Sequence, residues 1–277
     1  MISSDDLVLT HNAIAALPII GALATMPTRT NTLFTTLASV LPQVDSLYLF
    51  LDGFDDVPAE IRSEKKVRPI LLRGQDNLHA SSRFLAPRLF GSEAVICLFD
   101  DDILYPEGYT QRIAGALGKL RGNGLVGFHA AHYLPPHRRY VRDRQVITFR
   151  SALERPGRVH ELGSGTLGFL STRFSPDPAA WRYHDMDDIY VAAEANRARL
   201  SKVVLARPAR WIRALAHNQN DSLWQATLKD DRRQSQLMRY VISQHLGRIE
   251  TVETDWWTDD RPATAPRADR LHPVPRE

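Results

Sequence analysis

Three consecutive carboxylates directly follow an apolar run in the middle of the chain. The apolar run is 94–99, and Asp100, Asp101 and Asp102 come immediately after it. A short apolar run bounded by loop residues is typical of a strand buried on both faces. Two like charges about 4 Å apart repel by about 4 kcal/mol at an effective dielectric near 20, so a neutralising cation is expected. The sequence predicts a divalent-metal site holding a phosphorylated ligand, with a turn and helix N-cap as the simpler alternative.

A second acidic pair lies in the later half of the chain. Asp187 and Asp188 begin a predicted helix that continues through Ala195 and Ala198. Carboxylates in the first turn of a helix are stabilised by the positive end of the helix dipole. The sequence therefore contains two acidic clusters, and the elements around them decide whether they meet.

The composition sets broad limits on the class of protein. The chain has 277 residues, of which 43% are hydrophobic and 24% charged, with a net charge of +3. This size suits one large α/β domain or a domain with an appendage, and the slight charge does not indicate a nucleic-acid binder. The single cysteine, Cys97, excludes a disulfide within the chain and fits a reducing cytoplasm. No stretch reaches the roughly 18 apolar residues of a spanning helix, so we expect a cytoplasmic protein.

The first hundred residues alternate between strand and helix patterns. Strands are predicted at 17–23, 46–51, 67–72 and 94–99, and the first intervening helix begins at an N-cap, Thr28 or Thr30. A β-α-β-α-β order favours a parallel sheet with right-handed crossovers. We therefore predict an α/β fold with a mostly parallel sheet flanked by helices.

The remainder of the chain is less regular. An amphipathic helix precedes a single strand at 125–131, and a basic, proline-containing excursion, 132–162, lies over the sheet. Such an excursion either carries substrate contacts or is an insert without chemistry. A glycine-rich stretch (162–170) and a strand (203–205) follow. A long helix from 222 to 245 packs on the core or on another subunit, and the acids within it belong to a solvated face.

The carboxyl ends of the predicted parallel strands meet at one edge of the sheet, which is where open α/β sheets bind ligands. That edge collects Thr25, Arg29, Asp52, Asn77, Arg83 and the three consecutive acids. On extended backbone Asp100 and Asp102 point the same way, where Mg²⁺ or Mn²⁺ would bridge them to a diphosphate. These are the requirements of a nucleotide-diphosphate-sugar site, because the metal and the cations stabilise the leaving diphosphate.

The order of these features resembles that of GT-A-fold glycosyltransferases, and in particular the bacterial family 2 enzymes. The resemblance covers about 17–205 and is carried by the following segments: Thr25-Met26-Pro27-Thr28-Arg29, Asp52, Asp76–Arg83, the DxD element Phe99-Asp100-Asp101-Asp102, and Asp187-Asp188. It implies a GT-A (Rossmann-like) domain over 1–220, with a nucleotide-binding half at about 17–106 and an acceptor half at about 107–220. A C-terminal helix (221–250) and a poorly ordered tail (251–277) complete the predicted organisation.

The resemblance also implies roles for single residues. Asp102 is the expected direct metal ligand, and Asp100 reaches the metal through water or contacts the ribose. Asp188 matches the second acid of the family's Glu-Asp element, the general base, although Asp187 replaces the glutamate and is the alternative base. His217 is a further metal candidate, with a surface or helix-capping histidine as the plainer interpretation. The residues expected at the nucleotide sugar are Thr25, Arg29, Asp52, Asn77, Arg83, Asp100 and Asp101.

The implied activity is a metal-dependent transfer of a hexose from a nucleotide-diphosphate sugar, a UDP-sugar foremost, to a hydroxyl. The implied acceptor is a bacterial surface glycan or a lipid-linked glycan at the inner face of the membrane, where peripheral contact is allowed. The family's Gln-x-x-Arg-Trp element is incomplete, because Arg210-Trp211 lacks the glutamine, which favours a single addition. We expect an inverting reaction with Mn²⁺ or Mg²⁺, and the C-terminal helix allows a homodimer.

Three other functions are compatible with parts of the sequence. A phosphohydrolase would use Asp100 as a nucleophile, but such enzymes place the acidic pair near the start of the chain. A nucleotidyltransferase should carry a glycine-rich loop after the first strand, whereas 24–31 has no glycine and one arginine. An interaction protein would use the basic stretch 229–248, where the interspersed acids Asp230 and Asp231 indicate a solvated face instead.

Overall fold

The structure is a computed structural model that describes residues 11–74, 77–184, 186–215 and 227–244. The predictions for Asp76, for His217 and for the tail 251–277 lie outside these residues. Within them, no helix is long and apolar enough to cross a membrane.

The described chain contains strands of two to seven residues and mostly short helices. The strands are β1 Ile19–Thr25, β2 Ser46–Asp52, β3 Val67–Leu72, β4 Val95–Phe99, β5 Ile103–Leu104, β6 Gly124–Gly127, β7 Ala130–Tyr133, β8 Arg144–Ile147, β9 Gly157–Arg158, β10 Glu161–Leu162, β11 Gly168–Leu170, β12 Ser201–Val204 and β13 Arg213–Ala214. The helices are α1 His11–Ala15, α2 Thr30–Val40, α3 Ala59–Ser63, α4 Ala86–Phe90, α5 Tyr109–Lys119, α6 Asp187–Arg197 and α7 Arg232–Gln244. Turns of 3₁₀ helix occupy Pro27–Arg29, Leu41–Gln43, His79–Leu85, Ser164–Thr166 and Pro178–Ala180.

The predicted α/β fold with a mostly parallel central sheet is confirmed. The main sheet has the order β3-β2-β1-β4-β11-β6-β12-β9. Its first four strands are mutually parallel, and β11 enters antiparallel between β4 and β6. Every residue of β4 is buried, as its uninterrupted apolar run predicts. The carboxyl ends of β1, β2, β3 and β4 therefore meet at one edge of the sheet.

Two predicted boundaries near the site are wrong. The helix after β1 is capped by neither predicted threonine; Arg29 precedes α2, and Thr30 bonds the carbonyl of Pro27. The strand predicted at 125–131 is two strands, β6 and β7. Thr166 Oγ1 accepts the backbone N–H groups of Phe128 and His129, at 3.2 and 3.0 Å. Because these two N–H groups bond the threonine hydroxyl and not a neighbouring strand, the chain leaves the main sheet. β7 then pairs with β8 and β10.

The predicted continuous C-terminal helix is also wrong within the described residues. Residues 230–231 are not helical, and α7 begins at Arg232. Asp231 is buried and accepts hydrogen bonds from Arg139 Nε at 2.6 Å and the backbone N–H of Val141 at 2.9 Å. It therefore anchors α7 to the excursion and does not lie on a solvated face. The apolar side of α7 packs on α6 of the same chain, through Met238 and Val241.

Candidate functional site

The three consecutive acids form a turn, and their side chains have different partners. β4 ends at Phe99 and residues 101–102 form a turn, so the prediction of extended backbone through Asp102 is wrong. Asp101 Oδ2 accepts a 2.6 Å hydrogen bond from Thr25 Oγ1 at the end of β1. The buried hydroxyl of Thr36 bonds the carbonyls of Asp101 and Ile103, at 3.1 and 3.0 Å. These hydrogen bonds connect the turn to β1 and to α2.

Asp100 is paired with a buried arginine. Arg83 is 6% exposed, and its Nη1 donates to Asp100 Oδ1 at 2.5 Å and to the carbonyl of Phe99 at 3.1 Å. Its Nη2 donates to Ser164 Oγ at 3.0 Å and to Asp187 Oδ2 at 3.4 Å. Burial disfavours the charged guanidinium, but Asp100 and Asp187 outweigh that effect and hold the pKa of Arg83 above its usual value. Arg83 therefore joins the two acidic clusters, and its contact with a nucleotide stays a prediction.

The two acids at the start of α6 have separate environments. Asp187 is buried and accepts a 2.5 Å hydrogen bond from Ser81 Oγ in addition to that from Arg83. Burial raises the pKa of Asp187 to about 6, against the opposing charge of Arg83. Asp188 is half-buried and accepts from the backbone N–H of Ser164 at 2.7 Å. Of the pair, Asp188 is the more accessible to a ligand.

A glycine permits the closest approach in the site. Tyr105 Oη donates to the carbonyl of Gly165 at 2.6 Å and accepts the backbone N–H of Asp100 at 2.8 Å. A Cβ at Gly165 would lie 1.8 Å from Asp100 Oδ2, a distance that no side chain tolerates. The glycine-rich stretch therefore brings backbone close to the Asp100 carboxylate.

Gly165→Ala is expected to lower the free energy of unfolding by about 1–3 kcal/mol, because Asp100 must leave its position against Arg83. The matched control is Gly115→Ala in α5, where a Cβ meets nothing within 4 Å and alanine stabilises a helix by about 0.5–1 kcal/mol. Urea unfolding of both variants measures the difference. A free energy of unfolding for Gly165→Ala equal to that of the wild type would mean that Asp100 can leave its position without loss of stability.

The chemistry of the turn suits a hard divalent cation. Burial and the neighbouring carboxylates raise the pKa of Asp101 to about 6 and that of Asp102 to about 7. Arg29 follows β1, which lies beside β4, and its positive charge opposes both shifts. Among the described residues, no three His, Cys, Asp or Glu side chains are grouped to hold a metal. Mg²⁺ commonly takes one or two carboxylates and completes its shell with water and substrate phosphates, so the turn fits such an ion bound together with a diphosphate.

The later chain runs beside this turn up to the last residue described there. β13 pairs with β5, and the backbone N–H of Leu215 donates to the carbonyl of Asp102 at 2.7 Å. His217 follows two residues later in the sequence. Its position as a metal ligand stays a prediction.

The end of β2 forms a second polar group. Asn77 Nδ2 donates to Asp52 Oδ1, and His79 Nδ1 lies 2.7 Å from Asp52 Oδ2. The structure therefore brings Asp52 and Asn77 together, as their places after β2 and β3 predict. It adds His79, which the sequence analysis missed. The polar loop was visible in the sequence, but nothing in it singled out His79.

The excursion contributes a buried network that the sequence analysis also missed. Glu161 is 3% exposed and accepts from Tyr133 Oη at 2.5 Å, Tyr140 Oη at 2.8 Å and Arg144 Nη1 at 3.2 Å. Burial raises the pKa of Glu161 to about 7, and the charge of Asp188 adds to that shift. The excursion is thus a folded layer beside Asp188, in which β8 and β10 flank β7. Its basic, proline-containing composition gave no signal of this network.

Comparisons with known proteins find matches among solved structures. No family model matches the sequence, and no curated protein matches it. Among solved structures, the viral protein A197 from STIV is 12% identical with a TM-score of 0.36, over 72% of this chain and 84% of that one. Glucosyl-3-phosphoglycerate synthase from Mycobacterium tuberculosis, in complex with Mn²⁺, UDP-glucose and phosphoglyceric acid, is 18% identical with a TM-score of 0.32. That match covers 43% of this chain and 47% of the synthase, so the chain spans about half of the synthase's length.

Proposed function

We propose that the protein is a metal-dependent glycosyltransferase that moves a hexose from a nucleotide-diphosphate sugar to an acceptor hydroxyl. One observation carries the proposal: Arg83 and the segment around Ser164 join the Asp100–Asp102 turn to the acids that begin α6. A sugar transfer needs a cation-binding group at the leaving diphosphate and a base at the acceptor. Here both kinds of group converge on the ligand-binding edge of a parallel sheet.

The donor half comprises the ends of β1, β2 and β4. We assign the metal to Asp102, as the resemblance of Asp100-Asp101-Asp102 to the DxD element implies, because Mn²⁺ and Mg²⁺ prefer carboxylate oxygens as ligands. A bound Mn²⁺ or Mg²⁺ would supply charge stabilisation to the leaving diphosphate. Asp52 and Asn77 lie further along the edge and would bind the nucleoside. Arg29, which follows β1, would contact the phosphates.

The acceptor half centres on Asp188. Its carboxylate would take the proton from the acceptor hydroxyl while that oxygen forms a bond to the anomeric carbon and the carbon–diphosphate bond breaks with inversion. The N–H of Ser164 orients the carboxylate from one side. Asp187 is buried against Arg83 and would hold this arrangement in place. We further propose a single addition to a glycan or lipid-linked acceptor at the inner face of a bacterial membrane.

The test is a donor screen of the wild type and of Asp102→Asn against UDP-, GDP-, TDP- and CDP-sugars, with Mn²⁺ or with a chelator. Mass spectrometry scores transfer or hydrolysis. We expect one nucleotide class to be consumed by the wild type only with metal, and a loss of at least ~100-fold in Asp102→Asn. The matched control is Asp56→Asn, an exposed acid paired with Arg62 at the surface, which should retain activity.

The products separate this proposal from its rivals. A glycosyltransferase releases a nucleoside diphosphate together with free or transferred sugar. A phosphohydrolase would instead release inorganic phosphate, and a nucleotidyltransferase would act on a nucleoside triphosphate. No consumption of any nucleotide sugar by folded protein, with either metal, would contradict the proposal.

A further inference from the structure

His79 contacts the Asp52 carboxylate at the end of β2. Besides the contacts of Asn77 Nδ2 and His79 Nδ1 with Asp52, the backbone N–H of His79 donates to Asn77 Oδ1 at 2.8 Å. His79 has a φ of 48°, in the left-handed region, where a residue other than glycine is held only by the contacts around it. The three side chains therefore hold one another in a fixed arrangement.

This arrangement determines which nitrogen of His79 can recognise a ligand. A carboxylate only accepts hydrogen bonds, so Nδ1 carries a proton and donates to Asp52. In a neutral imidazole the other nitrogen, Nε2, is then an acceptor. The His79 side chain is 61% exposed, and its Nε2 has no hydrogen-bond partner in the described part of the chain. The loop thus presents one oriented acceptor at the donor half of the site.

The sheet fixes the spacing between this acceptor and the acidic turn. β1 pairs with β2 on one side and with β4 on the other. Neighbouring strands are about 4.8 Å apart, so the end of β2 lies about 10 Å from the end of β4. A nucleoside spans a gap of this size. With a diphosphate at the Asp100–Asp102 turn, the base reaches the end of β2.

We propose that His79 reads the nucleobase of the donor through Nε2 and selects bases that carry a ring N–H. This inference rests on the proposed function, because it requires a nucleoside diphosphate along this edge. Uracil and thymine donate from N3 and guanine from N1, whereas cytosine N3 and adenine N1 are acceptors. Two acceptors facing each other leave both without a hydrogen bond, which weakens binding. The substrate class is therefore a uridine, thymidine or guanosine diphosphate sugar.

The test compares UDP with CDP, which differ at the pyrimidine edge that carries N3. Calorimetric titrations with Mn²⁺ are run at about pH 8.5, where an ordinary imidazole is neutral. The wild type is expected to bind UDP at least ~10-fold more tightly than CDP. His79→Phe removes the acceptor and is expected to bring this ratio near one, mainly by weakening UDP. His79→Gly should do the same, and glycine adopts the φ of 48° without strain.

The matched control is His137→Phe. His137 also has a positive φ, 56°, but lies in the excursion, so this variant reproduces the backbone strain without touching the loop at β2. It should keep the wild-type ratio. Equal binding of UDP and CDP by the wild type would overturn the role of His79 and leave the proposed function standing, as would an unchanged ratio in both His79 variants. Failure of folded wild type to bind any nucleoside diphosphate would instead overturn the proposed function.

Discussion

Asp188→Asn is expected to lower kcat by about 10²–10⁴-fold, the range measured for the loss of a general base, while the Kd for the donor nucleotide stays unchanged. Asparagine is isosteric with aspartate and its Oδ1 can still accept the N–H of Ser164, which Asp188 accepts at 2.7 Å. The amide cannot take a proton from the acceptor hydroxyl. The variant should therefore slow the chemical step without changing the fold or the binding of the donor nucleotide.

Single-turnover rates and calorimetric titration of the same preparation separate these effects. The control is Glu194→Gln on the same helix, whose carboxylate pairs with Arg197 one turn away. That variant should match the wild type in both measurements. Normal turnover by Asp188→Asn would remove Asp188 as the base and leave Asp187 as the remaining acid of the pair. A weakened donor Kd would mean that Asp188 acts on the nucleotide side.

The elements of the donor half could be predicted because each depends on local signals. β2 contains a run of apolar residues and β3 ends in one, and both strands match their predicted spans within one residue. The polar residues that follow the strands then meet at one edge, since parallel strands share a direction. The approximate neighbours of Asp52 and Asp100 follow from this topology alone.

The partners of these residues could not be predicted, because they depend on contacts between distant segments. Arginine commonly binds phosphate, and the sequence alone suggests that role for Arg83. Only the packing of β4, the turn at Ser164 and α6 against one another makes Arg83 a buried link between acidic residues. The break between β6 and β7 depends likewise on one hydroxyl, that of Thr166, nearly forty residues away. The break at Asp231 in the predicted C-terminal helix depends on a contact with Arg139 in the excursion. No local pattern encodes such contacts.

Arg83→Met is expected to lower the free energy of unfolding by about 3–5 kcal/mol at pH 8, the range for removing one partner of a buried ion pair. Methionine fills much of the volume, but Asp187 then remains buried without its cation, and Asp100 loses its 2.5 Å hydrogen bond. The variant Arg83→Met/Asp187→Asn removes the uncompensated charge. It is expected to recover part of the loss, because an apolar or neutral replacement of both partners is less destabilising than removal of one.

The pH dependence of this loss gives the sharper measurement. The folded-state pKa of Asp187, about 6, is already above its ordinary value of 3.8 through burial, and removal of Arg83 raises it further. A carboxyl with a raised folded-state pKa favours the native state below its unfolded pKa, and that contribution is lost as the pH rises through the folded pKa. Urea unfolding should therefore show that Arg83→Met lowers the free energy of unfolding less at pH 5 than at pH 8. The double variant should be less sensitive to pH. A deficit of the same size at both pH values would mean that Arg83 contributes through packing and not through its charge.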